Sequence, residues 1–114
     1  MSPTSQPEPS ARQPAHPKQV TVLLHRPPEH PRTAQGLCAA VGYAAVGLRL
    51  RLVCVGQALP VALRPAIELP PALLRPRQTL LALGCPLLAL SDDAAVAVSQ
   101  LAALCQDSDV VVCW

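Results

Sequence analysis

A chain of 114 residues with nine Lys and Arg, seven Asp and Glu and a net charge of +2 has room for one domain and carries no strong field for steering a polyanion. It is 51% hydrophobic, yet Tyr43 and Trp114 are its only aromatics and Phe is absent, so its core is aliphatic and nothing resembles a basic stripe interleaved with aromatics. That composition argues against nucleic acid as a partner, and arginines and prolines interrupt every apolar run before the roughly 18 residues a membrane span needs.

Residues 1–18, MSPTSQPEPSARQPAHPK, hold five of the 14 prolines and almost nothing apolar. Such a segment cannot bury enough surface to offset the entropy of ordering it, so a disordered Pro-rich tail is expected ahead of one domain at 19–114. The tail lacks the apolar core of a signal peptide, so a cytoplasmic location with reduced thiols is expected.

Val20–Leu24 is an apolar run too short for a helix and suits a strand buried on both faces. Pro27, Pro28 and Pro31 stop it and hold a loop open. A helix is expected from Thr33 as N-cap, with Leu37, Cys38, Val41, Ala45 and Leu48 as its core face. Gly36 and Gly42 cost helix propensity but allow close approach to a sheet. Gly47 suits the position just past the helix end, and a second strand follows at Leu48–Val55. Arg49 and Arg51 share one face at its start, where their heads reach water.

Gln57–Pro71 is broken by Pro60, Pro65, Pro70 and Pro71 into single turns. Pro76 suits the first turn of a helix running to Leu83, with Gly84 as its stop. Pro86–Leu90 reads as a third strand. Ser91 is the expected N-cap of the next helix, with Asp92 and Asp93 in its first turn. Ala94, Ala97, Val98, Leu101, Leu104 and Cys105 form its expected buried face. A turn at Asp107–Asp109 leads to a fourth strand, Val110–Cys113.

Alternating strands and helices imply an α/β fold with a parallel sheet, here a three-layer α/β/α flavodoxin-like domain of strand order 2-1-3-4. That order puts the switch point between the first and third strands and makes His25, Arg26, Ser91 and Asp92 the expected ligand-binding residues. The chain has neither GxGxxG nor a Walker lysine, so a nucleotide would lack its phosphate cradle. His25 and Arg26 stand where a phospho-accepting receiver domain needs its Mg²⁺-binding acids. The five cysteines, Cys38, Cys54, Cys85, Cys105 and Cys113, include no CxxC pair, so neither a metal site nor a cofactor is expected.

The succession VTVLLHRPP, AQGLCAAVGYAAVGLRLRLVCVGQAL, LLALGCPLLALSDDAAV and SDVVVCW resembles the DsrE/DsrF-like sulfur-relay proteins, which include the Tus subunits, over Gln19–Trp114. The resemblance implies a small α/β/α subunit that assembles with itself or with other DsrE-like subunits, and a sulfur-carrier protein as a further partner. Active members hold a persulfide on a cysteine at the end of the third strand, and their partner subunits lack it. Here that position falls at Leu90 or Ser91. The spot suits a thiolate because a helix N-terminus lowers a cysteine pKa, whereas a serine hydroxyl titrates far too high.

The expectation is therefore a non-catalytic partner or scaffold subunit. Two alternatives stay open. A persulfide carrier would use Cys85, just after a helix C-terminus, or Cys113, at the carboxyl end of the fourth strand. An anion- or small-ligand-binding module would use His25 and Arg26. Cys38, Cys54 and Cys105 read as core.

Overall fold

The computed structural model describes residues 18–114, and the expected disordered tail lies, but for Lys18, outside the described residues. Four parallel strands form one sheet: β1 (Gln19–Leu24), β2 (Arg49–Cys54), β3 (Leu87–Ala89) and β4 (Val110–Cys113). Helices α1 (Pro31–Ala45), α2 (Leu59–Leu63), α3 (Pro71–Ala82) and α4 (Ala94–Gln106) join them, with single 3₁₀ turns at Gly56–Ala58 and Ala66–Glu68. The α/β class and the parallel sheet expected from the sequence hold.

The strand order does not. It is 3-2-1-4, with β3 paired to β2 and β4 paired to β1. A right-handed crossover fixes which face each helix takes. The chain steps outward from β1 to β2 to β3, so α1, α2 and α3 all lie on one face. It then returns across the sheet to β4, which carries α4 to the other. Leu37 and Ala40 of α1, Val61 of α2, and Leu73 and Leu80 of α3 accordingly share one core with Val20, Val22, Leu24, Leu50, Leu52 and Cys54. Each fully buried leucine there contributes about 1.5–3 kcal/mol.

Helix boundaries move for identifiable reasons. Pro31 takes the first position of α1 and His30 caps it, its Nδ1 accepting the Arg32 N–H at 3.0 Å. Thr33, the expected cap, instead lies buried in the first turn and donates its hydroxyl to the Pro27 carbonyl at 2.8 Å. The buried stripe of α1 is Thr33, Gly36, Leu37 and Ala40, so Cys38 and Ala45, expected in the core, are exposed. Gly36 sets this rotation. A Cβ there would lie 2.7 Å from Leu24 Cδ2 and 2.9 Å from Trp114 Cγ, so only glycine lets the helix come this close. Gly42 has nothing comparable nearby. Gly47 and Gly84, at φ 90° and 80°, end α1 and α3 as expected.

Helix α3 starts at Pro71, not Pro76, which therefore sits inside it. Pro76 deprives the Ala72 carbonyl of its partner, and Ala72 is exposed. Asp93, not Ser91, caps α4, its carboxylate accepting the N–H groups of Ala95 and Val96 at 2.9 and 3.2 Å. No residue of α4 is fully buried: Ala97, Leu101 and Leu104 are half-covered, while Ala94, Val98 and Cys105 face solvent against expectation.

A polar clamp holds α4 to the sheet instead. Arg51 donates to Thr21 Oγ1 at 3.0 Å, Asp107 Oδ2 at 3.1 Å, the Leu104 carbonyl at 3.0 Å and Ser108 Oγ at 3.1 Å. Thr21 and Ser108 also hydrogen-bond one another at 2.5 Å. Among the described residues no helix is long and apolar enough to cross a membrane.

Candidate functional site

In open α/β sheets ligands bind beyond the carboxyl ends of the strands. Here that edge carries His25 and Arg26 after β1, Val55 and Gly56 after β2, Leu90, Ser91 and Asp92 after β3, and Cys113 and Trp114 at β4. Because β2 lies between β1 and β3, the ends of those two strands stand about 10 Å apart, two strand spacings. The expected crevice uniting His25 and Arg26 with Ser91 and Asp92 is therefore not formed as one site.

Its β3 half is a cavity of about 340 Å³ lined by Val55, Gly56, Leu90, Ser91, Asp92, Ala94, Ala97, Val98 and Leu101. The volume suits a small molecule, and the walls are chiefly apolar because the polar atoms of Ser91 are already engaged by neighbouring residues. Ser91 Oγ accepts the Asp93 N–H at 3.0 Å, and the Ser91 N–H donates to Gln100 Oε1 at 2.9 Å. Both Asp92 and the capping Asp93 set negative charge at the mouth, where the start of α4 alone would be positive. His25 and Arg26 do not line this cavity.

The cysteines fall into two groups. Cys54 and Cys85 are buried; Cys38, Cys105 and Cys113 are exposed. Cys85 lies just before β3, at the amino end of the sheet, and its thiol points to the Pro86 carbonyl at 3.6 Å. Burial pushes this thiol up from its ordinary value, and a hydrogen bond from the Leu52 backbone only partly offsets it. Cys85 thus lies at the edge opposite the carboxyl ends of the strands, and its burial disfavours the thiolate. Cys113 is at the carboxyl edge, beside Leu23 in the sheet register. Among the described residues no group of three or more His, Cys, Asp or Glu is arranged to hold a metal.

The fold itself has a solved counterpart. Over 87% of this chain and 100% of the other, the structure is similar to the ychN protein from E. coli, with a TM-score of 0.66 and 18% identity. At that identity the likeness is one of fold. No family model matches the sequence, and no curated protein does.

Of the expected site residues, the β3 cavity brings together Ser91 and Asp92; Val55, Gly56 and the α4 wall were not expected to line it. Ala94, Ala97, Val98 and Leu101 of α4, expected on its buried face, line this cavity instead.

Proposed function

We propose that this chain is a DsrE/DsrF-like subunit that serves a sulfur-relay assembly as a non-catalytic partner or scaffold. One observation carries the reading: at Leu90–Ser91, the position matching the sulfur-bearing cysteine of active subunits, the carboxyl end of β3 opens on a small-molecule-sized cavity with no thiol in its lining. The DsrE-like fold of the ychN protein supports the framework. Five unpaired cysteines suit a reducing cytoplasm.

Partnership is favoured by what the fold leaves uncovered. Val96 and Val98 of α4 are 46% and 67% exposed, and Val110 and Val111 of the edge strand β4 are 41% and 37% exposed. Size exclusion with light scattering tests the reading on the full chain, alone and mixed with a thiol-bearing DsrE-like subunit. A mass of two or more chains in either sample is expected; a monomer in both removes the partner role.

The second reading, a persulfide carrier, is favoured only at Cys113, which is exposed and at the carboxyl edge. There the thiolate would take the terminal sulfur of a donor persulfide and release the donor thiol.

A further inference from the structure

We propose that Arg26, with His30 and Arg32, binds a small oxyanion of the phosphate or sulfate kind at the β1–β4 end of the sheet. The strand order 3-2-1-4 makes the gap between β1 and β4 the topological switch point, because the chain leaves β1 outward through β2 on one side and returns to its other side as β4. The loop that follows β1 occupies that point.

Three features of the loop call for an acceptor. The guanidinium of Arg26 is half-buried, and its Nε is closed off from solvent with no hydrogen-bond partner. Such a donor is uncommon in a folded protein. The one side-chain hydrogen-bond contact of the guanidinium among the described residues is with His30 Nε2, 3.4 Å from Nη1. His30 Nδ1 accepts the Arg32 N–H, so the neutral ring carries its proton on Nε2. Arg26 Nη1 and His30 Nε2 are then two adjacent donors, and an oxygen seated beside the pair, off the line joining them, accepts from both.

Arg32 adds a second fixed cation. Its guanidinium stacks over the Trp114 ring at 4.9 Å from the centroid. Among the described residues no carboxylate pairs with either arginine, and Glu29, the one acid in the loop, is exposed and pairs with none of them. The helix N-terminus does not carry the site, because its Arg32 and Thr33 N–H groups are already taken by His30.

The cluster is also held in place before any ligand arrives. Thr33 Oγ1 ties the Arg26 and Pro27 carbonyls, and the His30 N–H donates to the Pro27 carbonyl at 3.0 Å. Little ordering cost remains for binding.

Melting of the full chain, titrated with sodium phosphate, sodium sulfate or sodium chloride at matched ionic strength, tests the site. A saturable rise in Tm with phosphate or sulfate and none with chloride is expected. Arg26→Gln and the surface change Arg32→Gln should each weaken the response about tenfold, as loss of a charged hydrogen bond implies. Arg64→Gln, remote and exposed, should leave it unchanged. Arg26→Gln should fold at least as stably as the parent without ligand, since it removes an unpaired donor. No oxyanion response, an equal response to chloride, or a response that survives both arginine changes overturns the proposal.

Discussion

Cys54 shows how one thiol ties the core to pH. Fully buried between β2 and the helices, it has its pKa pushed from 9.0 to about 12 by desolvation, against smaller opposing effects of Arg77 and a hydrogen bond from the Ala62 backbone. The unfolded chain therefore loses this proton first as pH rises. The contribution is whole below pH 9 and falls by about 1.4 kcal/mol per pH unit above it, until the folded thiol itself ionises near 12. Urea melts between pH 8 and 10.5 should show that slope, and Cys54→Ala, though less stable at every pH, should show a shallower one. Equal slopes in both proteins would mean the buried thiol does not titrate late. Cys54 is in the core as the sequence suggests, because it closes the apolar run Leu52–Val53 at the end of β2. The same expectation fails at Cys38 and Cys105, because a helix pattern rich in Ala and Gly leaves the rotation of the buried stripe undetermined by a few tens of degrees.

At the scale of elements, the two faces of the sheet are stabilised differently. The α1–α3 face is a dry aliphatic core. The α4 face depends on Arg51, whose side chain is 15% exposed and which ties β2 to β1 and to the end of α4. Its ion pair with Asp107, a residue 75% exposed, contributes little; the bonds to Thr21, Ser108 and the Leu104 carbonyl matter more. Arg51→Met should cost about 2 kcal/mol and raise amide hydrogen exchange in α4 about thirtyfold with little change in α1. Equal acceleration in both helices would show that the clamp is not local to α4. None of this was legible beforehand. Arg49 and Arg51 look alike in the sequence, and both were expected to reach water; the crossover of α4 over one face decides that only Arg51 is enclosed.

For the whole molecule, the alternation of strands and helices was legible because periodicity, Gly stops and Pro breaks agree along the chain. The strand order was not, because 2-1-3-4 and 3-2-1-4 both satisfy right-handed crossovers. That one difference splits the expected crevice into an apolar cavity at β3 and a basic loop at β1. It leaves intact the reading that matters most for function, that Leu90–Ser91 sits at the carboxyl edge without a thiol. Intact-mass measurement after incubation with a cysteine desulfurase and cysteine tests that claim most directly, comparing the native chain with Ser91→Cys. The account predicts no added sulfur on the native chain and one sulfur atom on Ser91→Cys. A sulfur atom on the native chain that is lost with Cys113→Ser or Cys85→Ser would contradict it and make the protein a carrier.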